Sequence, residues 1–223
     1  MSETMKIIKI LTVCILFPGV ALAQLSVLRD TGTGQPIMSS PYKEVKGTPY
    51  INEFNEGTII LLGGQVVEGI QIALNGYEQT LEYKLDGNLF AYSPENLKGF
   101  FYRDKSGELV QFTSDFEIPS ISKKRFLQEL ETGKYHLLKY SYKIMADDVT
   151  AAYGSQSMKV FQMEEEFLIG IDGKAFILKK NTKNFQEIFG EEEAKALRII
   201  KENKLSLKSE TDIRKLVQLM NGK

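Results

Sequence analysis

His136 is the only histidine in the 223 residues, so any imidazole-based proton transfer would have to run through it. It follows a turn at Gly133 and stands at the head of the strand pattern that begins at Leu137, with no nucleophile or paired carboxylate beside it in sequence. The sequence therefore reads it as an ordinary surface histidine. A serine–lysine nucleophile needs no histidine, and S-x-x-K occurs at Ser40/Lys43 and Ser120/Lys123. With 14 Ser and 23 Lys in the chain, about 1.4 such matches arise by chance, and the companion S-D-N and K-T-G elements are missing. Asp147-Asp148 and Glu164-Glu165-Glu166 are the acidic clusters outside the helical region. Neighbouring residues on a strand point to opposite faces, so neither cluster makes by itself the paired carboxylates of a glycoside hydrolase. Asp147-Asp148 also lacks the D-x-D-x-D-G spacing of a calcium loop. Lys123-Lys124-Arg125 is the densest basic run, too short for a nucleic-acid footprint. Gly32-Thr33-Gly34 has neither the preceding strand nor the following helix of a phosphate loop. These residues assign no catalytic, cofactor-binding or metal-binding position.

Composition narrows the classes further. With 26% charged and 43% hydrophobic residues the chain has the make-up of a folded protein. Its 28 basic and 29 acidic side chains give no reason to expect a polyanionic partner. A single cysteine, Cys14, rules out a disulfide framework.

The first 23 residues have the form of an export signal. Lys6 and Lys9 precede the apolar run Ile10 to Phe17, Pro18-Gly19 break it, and Ala21-Leu22-Ala23 supplies small-x-small, which places cleavage between Ala23 and Gln24. The stretch from Ile10 to Ala23 falls short of the ~20 residues a bilayer crossing requires. Leu11-Thr12-Val13-Cys14 is a poor lipobox, because Val13 is bulky and Cys14 sits inside the apolar run. Cleavage would remove Cys14 and leave a cysteine-free mature chain suited to an oxidising compartment.

Residues 24–56, with Pro36, Pro41, Pro49 and several glycines, follow no apolar period and read as an extended N-terminal arm. From Thr58 the pattern changes to short alternating segments split by Gly63-Gly64, Asn75-Gly76 and Asp86-Gly87, dipeptides that favour tight hairpins. Strands are expected at 58–62, 65–74, 78–85, 88–92, 98–103, 108–113, through Leu138–Ile144 as a one-faced strand, and at 158–170 and 174–180. After Asn181 the period is helical. Phe185, Ile188 and Phe189 form one stripe, Ala194, Leu197 and Ile199 a second, and Ile213, Leu216, Val217 and Met220 a third behind the Ser209/Asp212 start signal. Residues 24–178 carry 15 basic and 21 acidic groups, net −6, and 179–223 carry 11 and 7, net +4. An acidic sheet can thus meet a basic helical tail.

Lys46-Gly47-Thr48-Pro49-Tyr50-Ile51-Asn52-Glu53-Phe54, Asn75-Gly76-Tyr77, Leu81-Glu82-Tyr83-Lys84 and the finish from Asn203 to Ile213 together resemble an uncharacterised family of exported Gram-negative bacterial proteins. The resemblance implies export, an ordered second half of the arm, and a β-rich part followed by a helical tail. It brings no catalytic residues or ligands.

The expected architecture is α+β: an antiparallel β-meander of roughly six to nine strands, free to curl toward a barrel, followed by about three short C-terminal helices. The expected division is a signal peptide at 1–23, the arm at 24–56, the sheet region at 57–180 and a helical tail packed on the sheet at 181–223. The leading functional reading is a periplasmic or extracellular envelope protein with a non-enzymatic structural or interaction role. It would work with an envelope protein partner, without nucleic acid, and without spanning the membrane once cleaved. The alternatives are a carrier of a lipid or other apolar ligand and, third, a hydrolase.

Overall fold

The computed structural model describes Tyr42, residues 44–148 and residues 159–223. The proposed cut after Ala23, Cys14, Gly32-Thr33-Gly34 and Ser40/Lys43 lie outside the described residues. The strands are β1 (Val45–Lys46), β2 (Asn55–Leu61), β3 (Val66–Asn75), β4 (Thr80–Leu85), β5 (Asn88–Tyr92), β6 (Leu97–Arg103), β7 (Leu109–Thr113), β8 (Leu127–Glu131), β9 (His136–Asp147), β10 (Lys159–Ile171) and β11 (Lys174–Ile177). They form one sheet in the order β1-β10-β9-β8-β7-β6-β2-β3-β4-β5, with β11 also paired to β10. Helical segments follow: α1 (Phe185–Phe189), α2 (Glu193–Asn203) and α3 (Glu210–Met220).

The turn chemistry explains the hairpins. Asp86-Gly87 and Asp172-Gly173 both adopt positive φ, at 50° and 77° and at 49° and 75°, the twist that joins adjacent right-handed strands with two residues. Ile59, Phe100 and Phe112 lie in one register row across β2, β6 and β7. Together with Ile72, Leu74, Leu81, Tyr83, Tyr92 and Phe126 they form an aromatic-rich core on the inner face of the curled strands. Phe100 stacks on Phe112 at 4.6 Å and meets the edge of Phe126 at 5.2 Å.

β9 and β10 pair along twelve residue positions. Directly paired residues share a face. Leu137, Ile169 and Phe167 face the helices with Tyr135. Leu138, Leu168 and Tyr140 pack on the other side against Phe116, Ile118, Leu127 and Ala175. Ile213, Leu216 and Val217 of α3 are fully buried and Met220 is 3% exposed, so the third stripe seats on the chain's own sheet. Ser209 caps α3 by accepting from Asp212 N. Asn221, just past α3, donates to Tyr135 O at 2.8 Å and accepts from Tyr135 N at 2.9 Å.

Several expectations need correction. The sheet is mixed rather than purely antiparallel, because β1 runs parallel to β10. Among the described residues it has eleven strands and does not close into a barrel. The β3–β4 turn reaches β9, where Lys143 N donates to Gly76 O at 2.9 Å, but among the described residues no strand ladder joins the two. β8 escaped sequence reading because Leu127-Gln128-Glu129-Leu130-Glu131 looks like charged surface; its acids are used internally. Glu131 accepts from Gln218 Nε2 at 2.7 Å and Arg214 Nη1 at 3.5 Å, and lies 3.7 Å from Lys223 Nζ. Leu138 to Ile144 is one-faced only in part: Leu138 and Tyr140 are buried on one side with Tyr142 packed beside them, but Ser141 on the other side is also buried and Ile144 is exposed. The helical content is smaller than expected, as α1 is a single turn. In α2, Ile199 is buried as expected, but its buried companion is Ala196, while Ala194 and Leu197 face solvent. The charge segregation also fails to set the packing: Lys134 and Lys139 of the sheet pair with Glu192 and Glu210 of the tail, opposite in sense to Arg214 and Lys223 on Glu131.

Leu216→Asp would set an unpaired carboxylate under α3. It should cost about 3 kcal/mol or more, a melting-point drop of about 6–12 °C for a chain of this size. An unchanged melting point in the purified monomer would mean that α3 does not dock in solution.

Candidate functional site

The most deeply placed polar cluster surrounds Glu82, the one buried carboxylate among the described residues. β4 turns this side chain inward at the end of the β3–β4 hairpin. Tyr50 OH donates to Glu82 Oε2 at 2.6 Å and Asn75 Nδ2 to Glu82 Oε1 at 2.7 Å. Asn75 Oδ1 in turn accepts from the backbone of Tyr77 at 3.1 Å and Glu78 at 2.9 Å, which fixes the turn. Gln79, at φ 58°, donates to Gly76 O at 2.7 Å and to Ser141 O at 3.3 Å. Tyr42 donates to Glu78, and its ring meets Tyr77 and Phe161 edge-on at 5.4 and 5.3 Å. The segment 50–52 lies alongside, with Ile51 N bonded to Leu74 O and Asn52 Oδ1 accepting from Leu74 N. The cluster joins the N-terminal segment, the β3–β4 turn and β9. The amide and phenol donors named here end on protein acceptors, while Gln79 Oε1 and the adjoining Thr80 hydroxyl are buried without a partner among the described residues.

His136 is not the open surface residue expected. Its ring meets the Phe116 ring at 5.0 Å, its side chain is 28% exposed, and Nδ1 lies 3.4 Å from Glu129 Oε1. That separation is longer than a good N–H···O bond, and Nδ1 makes no hydrogen bond. Gln111 Nε2 holds the other Glu129 oxygen at 2.8 Å. Sequence could not foresee the pair, because Glu129 and His136 meet only through the β8–β9 register, which shifts between Glu129 and Glu131. Among the described residues no serine, threonine or second carboxylate is hydrogen-bonded to the imidazole, so the pair lacks the nucleophile a triad requires.

The other sequence candidates stand apart. Asp147 pairs with Lys159 at 2.6 Å and Asp148 with Lys46 at 3.3 Å. Glu165 lies on the Ser141 side of β10, 3.3 Å from its hydroxyl, and 3.8 Å from Lys139 Nζ. Glu164 and Glu166 share register with Tyr142 and Tyr140 on the opposite face. Among the described residues no group of three His, Cys, Asp or Glu could hold a metal ion, and no helix is long and apolar enough to cross a membrane. Ser120 and Lys123 lie in the β7–β8 loop.

Three surface clefts accompany these clusters. One of about 610 Å³ has Tyr135, Phe176 and Phe189 in its lining and acids including Glu187 and Glu191 around it. One of about 330 Å³ includes Tyr50, Phe54 and Lys84, whose ammonium sits 4.0 Å from the Phe54 ring centre. A third, of about 370 Å³, gathers Lys123, Lys124 and Lys174.

Burial holds several phenols in the neutral form. It pushes Tyr102 up to about 12, with Asp104 adding to the shift. Tyr42 and Tyr50 are raised further, by burial first and then by Glu78 and Glu82 respectively. A folded-state value above the unfolded one, near 10, contributes stability that is complete below pH ~10 and is lost as pH rises through the folded values. The melting point should therefore hold steady up to about pH 10 and fall steeply toward pH 12, with phenolate absorbance appearing together with unfolding. Full ionisation of the tyrosines in a still-folded protein would contradict the assignment. No known family model, curated protein or solved structure matches this chain.

Proposed function

We propose that the protein is an exported envelope protein with a non-enzymatic structural or interaction role. The observation that carries this reading is the placement of Glu82: it is buried, each of its oxygens accepts a hydrogen bond, from Tyr50 and from Asn75, and it lines none of the three clefts described above. His136, held between Glu129 and Phe116, adds no nucleophile. Export is supported by Lys6, Lys9, the apolar run and Ala21-Leu22-Ala23. It is also supported by a described core that packs without cysteine, and by the resemblance to exported proteins.

A carrier of an apolar ligand is the second reading. Tyr83, Phe100, Phe126, Ile59, Ile72 and Leu74, each 0–1% exposed, occupy the inner face of the curled strands, so such a ligand would have to lie in a surface cleft. A hydrolase ranks third, since its candidate groups do not converge.

Intact-mass and native mass measurements on protein recovered from its own envelope test these readings together. The expected exported form begins at Gln24, is free of membrane, and has the mass of the polypeptide alone or with a protein partner. Retention of residues 1–23 in the membrane fraction would overturn export, and a co-purified lipid would replace the leading reading with the carrier.

A further inference from the structure

Most sheet-region lysines that pair do so with a carboxylate: Lys46, Lys105, Lys134, Lys139 and Lys159 each have one within 4 Å. Lys123, Lys124 and Lys174 have none among the described residues, yet they line a single cleft of about 370 Å³. The first two belong to the loop between β7 and β8 and the third opens β11, so the fold, not the sequence run, brings them together. Among the described residues Glu117 is the only acid lining the cleft, which leaves a formal charge of +2 (three Lys, one Glu) within a region whose net charge is −6 over residues 24–178.

The walls of the cleft are fixed. Glu117 N donates to Gly173 O, and Ala175 N donates to Glu117 O, both at 2.8 Å, stitching this loop to β11 on either side of Lys174. Ile121 N closes a turn onto Ile118 O at 2.8 Å. Arg125 does not add its charge to the opening. It donates to Tyr140 OH at 3.0 Å and to Lys124 O and Lys123 O at 2.9 and 3.3 Å, holding the backbone of the lysine pair in place. Like charges kept together by a rigid frame repel one another, and a cleft with apolar walls focuses their field onto an entering anion. The lysines are compact point charges suited to phosphate oxygens, and the lining hydroxyl of Ser122 is a further donor type. Ile118, Pro119 and Ile121 complete the lining with hydrocarbon, which a bare inorganic ion would leave uncovered. The volume falls in the range of small-ligand sites, roughly 300–1,000 Å³.

We propose that this cleft binds a phosphate ester, with the phosphate on Lys123, Lys124 and Lys174 and the carbon portion against Ile118, Pro119 and Ile121. The ester is either a free phosphorylated small molecule or the headgroup of an anionic phospholipid.

Calorimetric titration of the full chain with glycerol 3-phosphate, monomeric dihexanoyl phosphatidic acid and inorganic phosphate tests this. Both esters should saturate one site and bind more tightly than inorganic phosphate, with affinity falling as salt screens the lysines. Lys174→Gln should weaken ester binding about tenfold, as expected for a lost charge-assisted contact, while Lys174→Arg stays within about threefold. Lys98→Gln, on β6 and outside the cleft, should change nothing. These side chains are solvent-exposed or half-buried, so the variants should melt with the parent. Tighter binding of the phosphatidic acid identifies the lipid source, and equal binding identifies the soluble ester. Absence of saturable binding, inorganic phosphate matching the esters, or a Lys174→Gln affinity equal to that of Lys98→Gln would overturn the proposal.

Discussion

The junction between the sheet and the helical tail is built against the ladder between β9 and β10. Its twelve register pairs run from His136↔Gly170 to Asp147↔Lys159, and four different structures use its length. At the near end, Leu137 and Ile169 offer one face to α1, α2 and α3, while Leu138 and Leu168 offer the other to the loop carrying Phe116 and Ile118. Further along, the β3–β4 turn meets β9 through Gly76 and Gln79. At the far end, β1 adds its short parallel pairing to β10. A strand covered on both faces loses apolar surface to water twice over, at roughly 25 cal/mol for each Å² buried. The base of this hairpin therefore accounts for much of the cohesion between sheet and tail.

Polar side chains act as clips where apolar packing leaves backbone groups in need of partners. Asn221 exchanges two hydrogen bonds with Tyr135, closing the end of α3 onto the strand approach to β9. Asn184 does similar work before α1, donating to Ile177 O at 2.7 Å. Asn75 and Glu82 do so at the β3–β4 turn. Leaving a buried amide or carboxylate without its partner costs about 1–3 kcal/mol, more when it is charged, so these clips fix one arrangement of the chain. At Glu82 the same device occupies both carboxylate oxygens, with Tyr50 on one and Asn75 on the other. The less constrained chemistry lies at the surface, and the three lysines at the stitched junction of the β7–β8 loop and β11 are its most concentrated instance.

Local rules determined a large share of the fold. The Asp86-Gly87 and Asp172-Gly173 turns, the strand following each of them, and the α3 stripe behind its Ser209 cap could be read directly, because turn geometry and periodicity depend on neighbours in sequence. What the sequence left undetermined depends on register and phase between distant segments. β8 is hidden because its glutamates look solvent-facing until Arg214 and Gln218 of α3 meet Glu131 and Gln111 of β7 meets Glu129. Around Ile199, which both pattern and packing bury, Ala194 and Leu197 are as apolar as Ala196, and only the packing partner selects between them. His136 acquired Glu129, and Lys174 joined Lys123 and Lys124, solely through strand pairing and loop closure. Short-range backbone preferences are written residue by residue; which side chains meet across the sheet is decided by the tertiary register, because a shift of one residue turns every side chain to the opposite face.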